Sequence, residues 1–346
     1  MKTEFLKIDA STVTSEALLG AAQIIKRHGT VVFPTETVYG LGADATCAES
    51  ARKIYEAKGR PSDNPLIIHI CEPRDAEPYA VTSPLYYRLA EHFMPGPLTV
   101  IMPKKDTIPD TVTGGLDSVA VRCPAHPVAR ELIRLSGLPI AAPSANISGS
   151  PSPTCAAHVI EDMNGKVDCI IDGGECEVGV ESTIVKLTGE DSLVLLRPGA
   201  VTYDALCCVC SDVTVSDAVT HMLKENERPL SPGMKYRHYA PAKPLVLVDG
   251  SADARLAFFK EKQASESCVI ICYDEQASEL GEGTIRIGAE NDLEAQAHRI
   301  FAALRESNGM RGDKIYANLP STEGYGLAIY NRLIRAAAHT VIKLEK

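Results

Sequence analysis

Apolar positions recur at helical spacing from Leu18 through Ala22 to Ile25, between a threonine able to cap a helix, Thr14, and a glycine able to end one, Gly29. The β-branched run at 30–33 follows and predicts a strand. Further along, the spacing predicts helices over 49–58, 83–93, 128–135 and 154–163, the second opened by a Ser83-Pro84 cap. Strands are expected at 66–70, 98–102, 119–122, 140–142, 169–172, 182–187 and 193–197. Some of these strands follow one another with no helix between them. The fold class is therefore α/β with a mixed sheet rather than a purely parallel one.

The pattern breaks at 229–244, where four of the 22 prolines fall. Proline disfavours helix, so an extended linker is expected. Beyond it, strands are expected at 245–248, 269–273, 285–287, 315–317 and 341–344, with helices at 252–262, 293–306 and 328–338. That regular alternation implies a small Rossmann-like, doubly wound domain. The organisation expected is an N-terminal domain at 1–210, a linker at 211–243 and an α/β domain at 244–346.

Polar residues crowd the ends of the strands in the first domain. The 30–33 strand runs into P-T-E-T-V-Y-G (34–40), a position where α/β sheets bind ligands, although a hydroxyl-rich turn would look the same. The segment K-G-R-P-S-D-N-P (58–65) reads as a loop stiffened by two prolines. Its exposed cations suit a polyphosphate, and their loss should cost activity but little stability. A-P-S-A-N-I-S-G (142–149) follows a strand, and its small and hydroxyl residues allow a phosphate close to the backbone. Arg122, the G-V-E-S-T run (179–183) and R-P-G (197–199) occupy other strand ends. His69 stands alone in an apolar strand and reads first as a structural residue. There is no phosphate-binding G-x-x-x-x-G-K-[ST] loop, no H-E-x-x-H and no G-x-S-x-G elbow, and Ser144 lacks evident histidine and acid partners for hydrolase chemistry.

Composition narrows the class. At 346 residues, with 45% apolar and 23% charged, the chain has the length for two domains and the balance of a soluble globular protein. No apolar run reaches transmembrane length, and the first residues lack the apolar core of a signal peptide, so a cytoplasmic protein without a membrane partner is expected. The 11 cysteines fit a reducing compartment better than a disulfide framework. Cys207, Cys208 and Cys210 lack zinc-site spacing and read as small buried hydrophobes near a helix end. A formal net charge of −10 argues against a nucleic-acid backbone as the principal ligand, so strong direct tRNA binding is not expected.

Eight strings then fall in one order: P-T-E-T-V-Y-G-L-G (34–42), K-G-R-P-S-D-N-P-L (58–66), M-P-G-P-L-T (94–99), V-A-V-R-C-P (119–124), A-P-S-A-N-I-S-G (142–149), G-V-E-S-T-I-V (179–185), L-R-P-G (196–199) and S-P-G-M-K-Y-R-H-Y-A-P (231–241). Together they make the chain resemble the threonylcarbamoyl-AMP synthase family in its two-domain form, with a YrdC-like N-terminal domain. The resemblance is dense from about residue 15 to 241 and weaker beyond. It implies a nucleotidyltransferase that joins L-threonine, bicarbonate or CO2 and ATP into L-threonylcarbamoyl-AMP. Pyrophosphate leaves, and the product passes to the machinery that threonylcarbamoylates tRNA. A carbamate oxygen attacking the α-phosphorus needs positioning and charge neutralisation more than a covalent nucleophile.

The resemblance implies Lys58 and Arg60 as catalytic residues that hold phosphate. It implies Asn64, Ser118, Ser144, Ser152, Arg197 and Tyr236 at ATP, with Mg2+ carried on the phosphates. It implies Thr37, His69, Arg122, Ala142 and Ser182 at L-threonine. The competing reading is an RNA-binding module of the same fold, which the net charge disfavours. The linker suggests a lid. From 228 to 248 it holds four Lys or Arg and no Asp or Glu, and K-Y-R-H-Y (235–239) is too rich in hydrogen-bonding side chains for a plain tether.

Overall fold

The structure is a computed structural model that describes residues 2–221 and 238–345. Tyr236 and most of the suggested lid lie outside the described residues. The chain divides into two compact units, one holding 2–148 and 152–221 of the described residues and the other 149–151 and 238–345.

The first unit is built on eleven strands: β1 Glu4–Lys7, β2 Val31–Phe33, β3 Gly40–Asp44, β4 Ile67–His69, β5 Leu98–Pro103, β6 Ser118–Arg122, β7 Ile140–Ala141, β8 Cys169–Asp172, β9 Thr183–Leu187, β10 Ser192–Arg197 and β11 Asp212–Val215. They form one sheet in the order β1-β8-β2-β3-β7-β4-β6-β5-β9-β10-β11. Parallel ladders (β4 with β6, β5 with β9) alternate with antiparallel ones (β2 with β3, β7 with β4, β6 with β5), so the sheet is mixed.

Strand alternation gives the sheet two unlike faces. One carries Leu41, Ala43, Ile68, Ile70, Val100, Val119, Val121, Ala141, Val185 and Leu195, which pack into the largest apolar cluster. The other carries Val31, Phe33, Ile140 and Ala142 beneath the helices Ser15–Lys26 and Pro127–Ser136. Farther across, the same second face carries a smaller cluster of Ile67, Ile101, Ala120, Ile184 and Leu196. The candidate polar residues stand on this second face.

Helix ends follow the sequence signals. Thr14, Ser83 and Thr202 each accept a backbone N–H in the first turn of a helix, and Gly59 and Gly137 end helices in the left-handed conformation. Three strands were not anticipated. β3 (G-L-G-A-D) is glycine-rich and reads as a loop, but it turns back on β2 through 34–39 and is buried along its whole length. β1 and β11 are short, largely exposed edge strands with little apolar signal. Cys207 and Cys208 correct another expectation. Only Cys210 of that trio is buried, because the short helix Tyr203–Cys207 leaves its C-terminal turn in solvent. All eleven cysteines are free thiols.

The second unit holds β12 Leu245–Asp249, β13 Cys268–Cys272, β14 Thr284–Arg286, β15 Lys314–Asn318 and β16 Val341–Lys343, in the order β14-β13-β15-β12-β16. Every ladder is parallel, as helices between successive strands require. Tyr239 stacks on Phe301 at 5.2 Å and lies under the Arg332 guanidinium, so the end of the proline-rich tract is part of this unit's packing. No helix among the described residues is long and apolar enough to cross a membrane.

Gly42 sits on the second face between two neighbours. A Cβ there would lie 2.6 Å from both Ile140 Cγ2 and Phe33 Cε1. Gly42→Ala should lower stability by about 1–3 kcal/mol, the usual range for an overpacked core. A denaturant midpoint equal to that of the parent protein would show that this layer of the sheet is not tightly packed.

A polar row across the sheet

Register decides which candidate residues meet. His69 pairs with Arg122 in the β4–β6 ladder, Arg122 with Thr99 in β6–β5, and Thr99 with Ile184 in β5–β9. Two positions before Ile184, and so on the same face, is Ser182. The β9–β10 ladder shifts register between Leu195 and Arg197, so that Arg197 opposes Ile184. Without that bulge Arg197 would follow Leu193 and Leu195 onto the opposite, apolar face. The bulge therefore delivers a guanidinium to the end of the polar row.

Contacts join the row. The hydroxyls of Thr99 and Ser182 lie 2.7 Å apart. Arg197 Nε donates to the Ser182 carbonyl at 3.0 Å and Nη2 to its hydroxyl at 3.3 Å. Next to Ser182, Glu181 accepts a 2.5 Å hydrogen bond from Ser152. Arg122 is 4% exposed and Glu36 5% exposed. Arg122 Nη2 donates to Glu36 Oε1 at 2.7 Å, and the Ala125 N–H donates to Glu36 Oε2 at 3.1 Å. The Nε of Arg122 is buried and has no hydrogen-bond partner. A buried donor left unmade costs free energy that a ligand's acceptor would recover.

His69 is buried beside Arg122, its Nδ1 within 3.3 Å of the Ile67 and Ile140 carbonyls. Burial, and then the Arg122 charge, push its pKa down to about 3, so the ring stays neutral near pH 7. Thr37 follows Glu36, and its hydroxyl lies 2.8 Å from that of Thr35. Ala142 flanks the row, donating its N–H to Ile67.

Lys58 is not the exposed loop cation that the sequence suggests. It is the last residue of the helix Ala48–Lys58 and only 1% exposed. Its ammonium donates to the carbonyls of Ser144 and Asn146, the latter at 2.5 Å. Its own carbonyl accepts from the Ser148 N–H at 2.9 Å. Lys58 thus fixes the 144–148 loop, in which Ser144 Oγ donates to Asn146 Oδ1 at 2.5 Å.

Arg60 and Asn64 lie at the other end of β4. Arg60 donates to the carbonyls of Asn64 and Pro65 at 3.2 and 3.0 Å. Asn64 is buried, and its Oδ1 has no partner. Continuing the β4–β6 register by two residues places Ser118 opposite Pro65, on the same side of this loop. Gly114 allows the approach: a Cβ there would lie 2.8 Å from the Asp63 carbonyl. From Ser118 to Arg122 the strand spans about 13 Å, so the two ends are separate stations along one face.

The structure thus gathers Thr37, His69, Arg122, Ala142, Ser152, Ser182 and Arg197 about the row. It sets Lys58 with Ser144 under one loop and Arg60, Asn64 and Ser118 at the far end. Glu36, Thr99, Asn146 and Glu181 contribute contacts the sequence reading did not single out. All four lie inside the motif strings, so a search for polar partners of the chosen arginines and serines within those strings would have found them. No group of three or more metal-binding side chains occurs among the described residues.

Comparison with known proteins identifies the family. A family model described as "Telomere recombination", covering Sua5, YciO and YrdC, matches residues 23–199. A second, "Threonylcarbamoyl-AMP synthase, C-terminal domain", matches 201–338. The chain is 45% identical over 332 residues to a threonylcarbamoyl-AMP synthase of Pyrococcus abyssi, covering 94% of this chain and 95% of that protein. It is 42% identical to the synthase of Bacillus subtilis, covering 99% and 100%. The crystal structure of P. abyssi Sua5 complexed with L-threonine superimposes with a TM-score of 0.91 at 42% identity, covering all of both chains. On its two domains and its near-full-length relatives, this chain belongs to the threonylcarbamoyl-AMP synthase family.

Proposed function

We propose that the chain is a nucleotidyltransferase that converts L-threonine, bicarbonate and ATP into L-threonylcarbamoyl-AMP, pyrophosphate and water, or CO2 in place of bicarbonate into the same products without the water. The product would supply the tRNA threonylcarbamoyl-transfer machinery. The polar row carries this reading. It sets a guanidinium with an unused donor, Arg122, on the same face as a second guanidinium, Arg197, about 14 Å away at three strand spacings. One suits a carboxylate and the other a phosphate. The family's names and the L-threonine complex of the P. abyssi protein support the assignment. Eleven free thiols support a reducing, cytosolic setting.

The geometry supports a role for each residue. Arg122 takes the threonine carboxylate through Nε, while neutral His69 adds no competing charge. Thr37, Ser182 and the small Ala142 shape the amino-acid end. Arg197 and Arg60 hold phosphate. Ser118, Ser144 and Ser152 offer hydroxyls to the nucleotide, and Asn64 Oδ1 offers a buried acceptor for one of its donors. Lys58 acts by holding the Ser144 loop rather than from solvent. In the reaction the threonine ammonium gives up a proton and the freed nitrogen bonds to the donor carbon, with water leaving if the donor is bicarbonate and a C=O bond opening if it is CO2. A carbamate oxygen then bonds to the α-phosphorus as the bond to pyrophosphate breaks. The carboxylates of the row, Glu36 and Glu181, accept from Arg122 and Ser152, so Mg2+ would be carried on the ATP phosphates as MgATP.

Two measurements follow. Pyrophosphate release should require threonine and bicarbonate together, and equal ATP consumption without threonine would sink the mechanism. Lys58 and Arg60 should separate. Lys58→Met strands two buried carbonyls and should cost about 1–3 kcal/mol of stability. Arg60→Ala should lower turnover by about 10²-fold, the scale of one preorganised donor, while the half-buried Arg60, whose carbonyl partners are Asn64 and Pro65, should cost less stability than the fully buried Lys58. A Lys58→Met protein as stable as the parent would remove its bracing role.

A further inference from the structure

The pairing of Arg122 is more than a resting partner for an empty site. Glu36 is held in place on three sides. Oε1 accepts from Arg122, Oε2 accepts from the Ala125 N–H, and its backbone carbonyl accepts from Val178 at 2.8 Å. Both side chains are more than nine-tenths buried. A lone buried guanidinium would be costly and would attract any anion. With Glu36 fixed against it, the pair carries no net charge.

That balance has a consequence for the ligand. A carboxylate received by Arg122 Nε comes to a guanidinium whose Nη2 already holds Glu36 at 2.7 Å. The α-substituent of that carboxylate then stands near the Glu36 carboxylate. If it is an ammonium, the four charges alternate and sum to zero. If it is a hydrogen, an extra negative charge is buried against Glu36 with no compensation, and like charges at this range repel strongly in a desolvated site.

Resting on the assignment of threonine to Arg122, we propose that Glu36 is a specificity-determining residue: it reads the α-ammonium and restricts the site to zwitterionic amino acids. Each Glu36 oxygen accepts one hydrogen bond in the structure and has capacity for another. The position also follows from the motif. Glu36 lies in the 34–39 turn that joins β2 to β3, and its neighbour Thr37 is buried beside it.

The test uses calorimetry on the full-length protein with L-threonine and with (R)-3-hydroxybutyrate, which keeps the carboxylate and hydroxyl but lacks the amine. The parent protein should bind hydroxybutyrate at least about tenfold more weakly than threonine, the scale of a lost charged hydrogen bond. Glu36→Gln should weaken threonine by a similar factor while leaving hydroxybutyrate unchanged or tighter, so that the preference disappears. Glu36→Asp, which keeps the charge, should retain the preference and covers the case in which Glu36→Gln does not fold. Equal binding of the two ligands by the parent protein overturns the proposal with no variant needed. So does a Glu36→Gln protein in which both ligands weaken together, since Glu36 would then only orient Arg122. Arg122→Ala separates the two levels. If it binds threonine normally, the amino-acid assignment itself has failed. If it loses threonine while Glu36→Gln keeps the preference, only the role of Glu36 falls.

Discussion

A strand has two faces, and every second residue must share one of them. In the eleven-stranded sheet that rule sorts the chemistry from the core. Ile68, Val100, Val119, Val121 and Val185 fill the apolar layer, while His69, Thr99 and Arg122, from the same strands, stand on the other side. The register of the neighbouring ladders then lines these polar residues up with Ser182. A shift of one residue in any ladder would send its polar members into the apolar layer. Among the described ladders, the departure is the bulge before Arg197, which turns an arginine that alternation would have placed in the apolar layer onto the polar face.

Burial then sets the terms for each charge. Lys58 has its charge met by the carbonyls of Ser144 and Asn146 and becomes a brace for a loop. Arg122 is met on one side by Glu36 and keeps one buried donor unused. Arg197 is tied to Ser182. The partial satisfaction of Arg122 and of Asn64 is what a stable fold has least reason to keep and a binding site most reason to keep. The same burial holds His69 neutral, so the electrostatics around Arg122 are set by the Arg122–Glu36 pair rather than by a titrating ring.

Most of the fold was legible because its strong signals are local. The helix caps at Thr14 and Ser83 and the β-branched run at 31–33 appear in the structure where the sequence places them, while the first helix ends before Gly29, with His28 in the left-handed conformation. β3 was missed because its glycines carry no strand propensity; they are there so that Phe33 and Ile140 can pack across them. The exposed edges β1 and β11 gave no periodic signal. In the site, residue types and motif order were readable, but exposure was not. Lys58 sits at a helix end facing inward, and nothing in K-G-R-P reveals that. Partnerships across the sheet, such as Glu36 with Arg122, depend on register between residues 86 positions apart and become visible only once the strands are paired.

The central claim is that one face of this sheet holds the amino acid at Arg122 and the nucleotide phosphates at Arg197. Calorimetric titration of Arg122→Ala and Arg197→Ala with L-threonine and with MgATP tests it most directly. The account predicts crossed losses: Arg122→Ala should weaken threonine by about tenfold or more and spare ATP, and Arg197→Ala should do the reverse. Variants that both weaken the same ligand, or a reversed pattern, would contradict it.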